Sequence, residues 1–274
     1  MLHKKITFIG AGNMAASIIS GLVKSGYPGD CICASEPNIT NTQKLVDKYA
    51  INGSQDNSTS ANWAEVIVLA VKPQIMADVC QALANQGVDF SNKLVISIAA
   101  GVSVQRLQFL LGEKTPVIRV MPNTPALLQK GMTGLFASQQ VSQENKTFAD
   151  ELLSSVGETL WVKEESMINA VTAASGSSPA YFFLFMEAMQ DKAIAMGFDP
   201  EQARLLVMQS ALGSIEMVKH NPELTLSTLR ENVTSKGGTT AAALATFNEL
   251  ALTETVAKAM QAAADRGAEM EKLF

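Results

Sequence analysis

Histidine is nearly missing from this chain. The 274 residues hold two, His3 and His220, and neither has acidic or cysteine neighbours at ligand spacing. That argues against histidine acid–base chemistry and against a zinc site. Cysteine is almost as scarce: Cys31, Cys33 and Cys80. Cys31 and Cys33 fall in an expected strand, where alternate side chains point to opposite faces, so they neither bridge nor share a metal. Buried thiols in a reducing compartment are the expectation, with no metal. Charge is also thin. Charged residues make up 17% of the chain, the net charge is −5, and no Lys/Arg cluster stands out. This argues against a nucleic-acid partner. No apolar run approaches the ~18 residues of a membrane span. The first residues run into a strand without a charged n-region or an apolar h-region, so the cytoplasm is the expected location. What is abundant is core material: 47% of residues are hydrophobic, which argues against disorder.

The most informative segment comes first. Lys5-Ile6-Thr7-Phe8-Ile9 reads as a short strand, followed by Gly10-Ala11-Gly12-Asn13-Met14-Ala15 and an amphipathic stretch. Strand, glycine turn and helix form the context in which G-x-G-x-x-A binds a dinucleotide. Gly10 turns the chain, Gly12 admits a pyrophosphate to the backbone, and Ala15 keeps the helix close to the sheet. The helix start offers N–H groups and a partial positive charge.

Short β-rich runs alternate with helical patterns up to residue 162. Val66–Val71 is a continuous apolar run suited to a strand buried on both faces. Alternation of this type predicts a doubly wound parallel α/β sheet, a Rossmann-type dinucleotide-binding domain over residues 1–162. Two further short strands are expected near Thr133–Ala137 and Thr159–Val162. From residue 163 to 274 the β signal ends. Met, Ala and Leu recur at helical spacing through Ala180–Met196, Glu201–Lys219, Leu224–Val233 and from Thr239 onward, with Pro179, Pro200 and Pro222 at expected helix starts. Such helices carry little charge to cover their surface, which predicts an all-α dimerisation domain buried against a second copy of the chain. Met186, Met189, Met196, Met208 and Met217 are read as core or interface filler.

Three successive strand ends carry small or rigid residues on the side where open α/β sheets bind ligands: Ala70-Val71-Lys72-Pro73, Ala99-Ala100-Gly101 and Met121-Pro122-Asn123-Thr124-Pro125. Pro and Gly predict turns at these places in any case. In the helical half, Ser235-Lys236-Gly237-Gly238-Thr239-Thr240 makes an anion nest at a helix start, or equally a helix joint with Thr239 as N-cap. Ser175–Ala180 alone reads as a kink between two helices.

Together these blocks make the chain resemble pyrroline-5-carboxylate reductase over essentially its full length. The matching segments are Phe8–Met14, Ala70–Pro73, Ile98–Val102, Met121–Pro125, Ser175–Tyr181 and Val233–Thr240, with Lys236 standing where the family usually has Pro and Ser178 where it often has Gly. The resemblance implies reduction of Δ1-pyrroline-5-carboxylate, a cyclic imino acid, to L-proline with NAD(P)H, the last step of proline biosynthesis. It implies a homodimer, or a larger ring of dimers. By the same resemblance the backbone around Ser235, Gly238 and Thr239 holds the substrate carboxylate, with Asn232 nearby. The Thr240 hydroxyl, the catalytic group, hydrogen-bonds the ring nitrogen.

For the cofactor, the resemblance implies NADPH. Gly10, Ala11, Gly12, Asn13 and Met14 would hold the pyrophosphate, Ser35 and Asn57 the 2′-phosphate, and Ala70, Val71, Lys72, Pro73, Ala99 and Ala100 the rest of the site. Glu36 speaks for NADH instead. It closes the second strand 24 residues past Gly12, where a carboxylate accepts from a free 2′-OH. The alternative is that it points to solvent before Pro37. NADPH is expected narrowly ahead of NADH. The rival readings are another NAD(P)-dependent imine or β-hydroxyacid reductase and a non-catalytic NAD(P)-sensing protein. The former class usually carries an interdomain lysine, and Glu164–Ala174 has none. The latter would have no need of Thr240 or the Gly237-Gly238 pair.

Overall fold

The computed structural model describes residues 3–274. Eight strands form one sheet: β1 (Ile6–Ile9), β2 (Ile32–Ser35), β3 (Asn52–Ser54), β4 (Val66–Leu69), β5 (Leu94–Ser97), β6 (Val117–Met121), β7 (Gly131–Ala137) and β8 (Gly157–Trp161). Their order is 3-2-1-4-5-6-7-8. The connecting helices are α1 (Asn13–Lys24), α2 (Ile39–Tyr49), α3 (Asn57–Trp63), α4 (Pro73–Asn85), α5 (Val104–Leu111) and α6 (Gln143–Ser154). β1 to β6 pair in parallel, as expected.

The sheet is nevertheless mixed. β7 pairs antiparallel to β6 and parallel to β8. Only Pro122–Lys130 joins β6 to β7, and most of it is a 3₁₀ turn, Thr124–Leu128. That is too short for a parallel crossover, so the chain returns antiparallel. α6 spans the next connection and restores parallel pairing.

Alternation along the buried strands feeds two cores. Val66 and Val68 belong to one cluster with Ile6, Phe8, Ile18 and Leu22; Ile67 and Leu69 belong to the other with Met76, Leu83 and Leu107. Both faces are covered, which is why the run is apolar at every position. Each fully buried aliphatic contributes about 1.5–3 kcal/mol.

The chain divides into two compact units: residues up to Ser177 together with Ala262–Phe274, and Ser178–Gln261. The first unit also contains α7 (Met167–Val171) and a π-helical turn, Thr172–Gly176. The second holds α8 (Ser178–Ala195), α9 (Pro200–His220), α10 (Leu226–Asn232), α11 (Thr239–Glu249) and the start of α12 (Leu252–Met270). The helical pattern from Thr239 onward is therefore broken. Ala251 adopts a left-handed conformation, φ +54°, and separates α11 from α12. Pro200 is the first residue of α9, behind a capping box of Asp199 and Gln202. Pro222, expected at a helix start, lies instead in the turn before α10, whose N-cap is Thr225. α8 exposes apolar side chains all round: Phe182, Phe183, Leu184 and Phe185 are each at least 44% exposed. Met189, Met196, Met208 and Met217 are exposed too. Among the described residues no helix is long and apolar enough to cross a membrane.

Candidate active site

The order 3-2-1-4 puts the topological switch between β1 and β4, the place where open α/β sheets bind ligands. The glycine turn sits there. Gly10 has φ +102°, and a Cβ on it would stand 2.8 Å from the Ala70 carbonyl oxygen, so the fold itself requires this glycine. Gly12 differs. Its φ is an ordinary −73°, and no described atom beyond its own stretch of chain lies within 4 Å of where its Cβ would be. Nothing in the fold asks for glycine at 12. Gly12 and Asn13 are exposed at the start of α1. α1 and α4 begin without a side-chain cap, whereas α2, α3, α5 and α6 are capped by Asn38, Asp56, Ser103 and Ser142. The two uncapped N-termini follow the two strands of the switch and offer their N–H groups to an anion.

Glu36 does not point to solvent. Ala11 N–H donates to Glu36 Oε2 at 2.9 Å, and Asn41 Nδ2 donates to Oε1 at 3.2 Å. The carboxylate is thus folded back over the glycine turn. Beside it, Ser35, fully buried, donates from Oγ to Asn57 Oδ1 at 2.7 Å. Asn57 opens α3, a helix not read from the sequence. Asp56 caps it, and its carboxyl is held down to about 2 by the Thr59 hydroxyl, then by the Ser58 hydroxyl and the N–H groups of both. The native carboxyl titrates below its ordinary value. This cap therefore adds stability above that ordinary value and loses it as pH falls through about 2.

The strand-end blocks lie where the sequence suggested. Ala70 and Val71 pack over Gly10, Pro73 is the first residue of α4 with Lys72 as its N-cap, and Ala99 is buried at the end of β5 with Ala100 half-buried beyond it. Two motifs separate in sequence meet through Asn123. Its Nδ2 donates to Ser175 O in the π-helical turn at 3.0 Å, and its Oδ1 accepts from Met132 N–H at 2.9 Å. Replacing Asn123 by Ala removes two hydrogen bonds from a buried site. A loss of about 1–3 kcal/mol in denaturant unfolding is expected.

In the second unit, Gly238 is the N-cap of α11, and Thr239 and Thr240 are its first two residues. Thr239 is therefore not the N-cap. Gly237 is left-handed at φ +73°. Gly238 N–H already donates to Ser235 O at 3.0 Å, and a Cβ on Gly238 would collide with Ser235 Oγ. Gly238 thus gives a close backbone approach rather than a donor. α11 starts without a side-chain cap, so the N–H groups of its first turn face outward. Asn232 ends α10 five residues before Gly237.

Cys33 and Cys80 are buried and Cys31 lies in a 3₁₀ turn rather than a strand; all three are free. Burial pushes the Cys80 thiol up to about 12. Among the described residues no cluster of metal-ligating side chains occurs.

A Rossmann-type unit with an open glycine turn at its switch point, joined to an all-α unit, defines a nicotinamide-dinucleotide oxidoreductase. Two family models match the chain. Residues 165–270 fit pyrroline-5-carboxylate reductase dimerisation, and residues 5–101 fit NADP oxidoreductase, coenzyme F420-dependent. A pyrroline-5-carboxylate reductase of Vibrio alginolyticus is 60% identical over all of both chains. The solved pyrroline-5-carboxylate reductase of Coxiella burnetii is 39% identical, with a TM-score of 0.91 over 98% of each chain. The Plasmodium falciparum pyrroline carboxylate reductase, solved with NADP bound, is 29% identical with a TM-score of 0.88 over 99% of each. The chain belongs to the pyrroline-5-carboxylate reductase family.

Proposed function

We propose that this protein reduces Δ1-pyrroline-5-carboxylate to L-proline at the expense of a reduced nicotinamide dinucleotide, as the last step of proline biosynthesis. The observation that carries the reading is Gly12: a glycine with no internal reason, at an uncapped helix start on the switch point. When bound, the cofactor supplies the hydride. The residues of this chain bind and orient. Within the Gly10–Met14 turn, the N–H groups of Gly12, Asn13 and Met14 hold the pyrophosphate at the start of α1, those of Gly10 and Ala11 being taken by Ser35 O and Glu36. Ala70–Pro73 and Ala99–Ala100 line the neighbouring strand ends. Ser235 and Thr239 hold the substrate carboxylate through N–H groups, Gly238 lets it approach, and Asn232 stands beside the loop. Thr240 donates its hydroxyl to the imine nitrogen, orienting the ring and helping the nitrogen gain its proton as the hydride reaches carbon. The test is loss of reduced-nicotinamide absorbance with pyrroline-5-carboxylate as substrate. No turnover with that substrate, or faster turnover of a β-hydroxyacid by the reverse reaction, would overturn the assignment.

NADPH is taken ahead of NADH, with Asn57 on the 2′-phosphate and Ser35, fully buried, positioning it through its hydroxyl. Glu36 narrows the margin, because its fixed carboxylate repels that phosphate and accepts from a free 2′-OH. Glu36→Ala is expected to shift the ratio of kcat/KM values toward NADPH by about tenfold, or 1.4 kcal/mol. An unmoved ratio would show that Glu36 only holds the loop through Ala11.

The apolar faces of α8 and α9 are covered by a second copy of the chain. They flank a groove of about 480 Å³ lined by Phe185, Met189, Met196, Leu206 and Phe247. The assembly proposed is a homodimer, or a ring of dimers, in the cytoplasm. Light scattering of the purified protein tests the assembly.

A further inference from the structure

A charge buried in the sheet ties the segment after α12 to the loop between β5 and α5. Arg119 stands in the middle of β6 with its side chain 2% exposed. Its Nη1 donates to Glu165 Oε1 at 2.9 Å. The same nitrogen lies 2.7 Å from Glu271 Oε1, a close ion pair whose angle is poor for a hydrogen bond. Glu165 Oε1 also accepts from the N–H of Val104, the first residue of α5, at 2.7 Å. Beyond Glu271, the carbonyl oxygen of Phe274 accepts from Arg106 Nε of α5 at 2.8 Å, and its ring packs against the core under that helix. Met270 closes the arrangement. It lies on Gly101, where an added Cβ would meet Met270 Cβ at 2.6 Å. Gly101 is left-handed at φ +72° and buried, the joint on which Ala99-Ala100-Gly101 turns.

We infer that Met270–Phe274 is a latch that holds the β5–α5 loop in its ligand-ready shape, and that Met270 and Glu271 are positioning residues for the dinucleotide. The inference rests on the reading of Ala99 and Ala100 as part of the cofactor site. Without the latch, the left-handed joint at Gly101 has nothing behind it, and the loop must be ordered when the cofactor binds. That cost falls on affinity for the dinucleotide, not on the imine. The ion pair suits the purpose. With Glu271 neutralised, Arg119 keeps Glu165, so no buried charge is stranded.

The experiment compares Glu271→Gln and Met270→Ala with the parent, and with Glu269→Gln, which makes the same charge change on the exposed Glu269–Arg266 pair. Dissociation constants for NADPH and NADH are measured by fluorescence, amide exchange of residues 99–102 is followed in the ligand-free protein, and melting is followed by circular dichroism. Glu271→Gln and Met270→Ala are expected to weaken both dinucleotides about three- to tenfold and to speed that exchange. The KM for the imine should stay within about twofold, as should everything in Glu269→Gln. A purely structural role would lower melting temperature and leave affinity unchanged, which overturns the latch. Loss of folding in both variants would also overturn it, because the segment would then be core. If the parent binds neither dinucleotide, the cofactor reading fails and the latch with it. If the parent binds and the variants match it, only the latch fails.

Discussion

Thr240→Ala should lower kcat/KM for imine reduction by about 10²–10⁴-fold, the range for loss of a positioned proton donor, while the dissociation constants for NADPH and NADH stay put. The reasoning starts from the helix. Gly238 is the N-cap of α11, and the first turn has no side-chain cap, so in the proposed site its N–H groups are left for a carboxylate beside the Thr240 side chain. Reducing a C=N bond leaves negative charge on nitrogen unless a proton arrives. A hydroxyl in contact with that nitrogen stabilises the transition state more than the bound imine, and its removal therefore appears in kcat as well as KM. Thr240→Val keeps the shape and should fall as far as Ala. Thr240→Ser keeps the hydroxyl and should recover most of the activity. The helix itself should lose little, since Thr240 is half-buried and is not the N-cap of α11, so that Thr→Ala costs about 1 kcal/mol or less. Equal kcat/KM for parent and Thr240→Val would remove the hydroxyl from the chemistry.

Gly12→Val should leave the fold intact and weaken both dinucleotides by about 100-fold or more. Its φ of −73° suits any residue, and no described atom beyond its own stretch of chain stands within 4 Å of the new Cβ. The valine instead fills the space through which a pyrophosphate reaches the backbone. Gly10→Ala is the contrasting case. It forces a side chain into φ +102° and against the Ala70 carbonyl, which costs about 1–3 kcal/mol in strain alone. Two glycines two residues apart should separate cleanly: one lowers the melting temperature, the other abolishes binding. Calorimetric titration with each dinucleotide and a thermal melt read both. Tight binding by Gly12→Val would sink the dinucleotide site.

Much of the architecture was legible because its signals are local. Val66–Leu69 is apolar at every position since both faces of β4 are covered, and period-2 sorting into two cores follows from the strand itself. Ser103, Ser142 and Asp199 mark helix starts by accepting from N–H groups a few residues on. β3 gave no such signal. It is three residues, Asn52-Gly53-Ser54, at a sheet edge, with no apolar face to bury. α3 was missed as well, although Asp56 followed by Ser58 and Thr59 is a usable cap signature. Arg119 carried a clue that went unread: a lone charge inside an apolar strand needs buried partners. Those partners, Glu165 and Glu271, lie far along the chain.

The glycine turn, the alternation of strands and helices, the apolar helices of the second unit and the threonine-headed helix were determined by sequence alone, because each depends on neighbours within one or two turns of chain. Tertiary structure decided the rest. It turned β7 antiparallel through a short connection, folded Glu36 back onto Ala11, joined Met121–Asn123 to Ser175–Gly176, and set Arg119 between two distant carboxylates. These are pairings between residues whose separation in sequence bears no relation to their separation in space. Only packing, which buries a charge or a polar group and so demands a partner for it, brings them together.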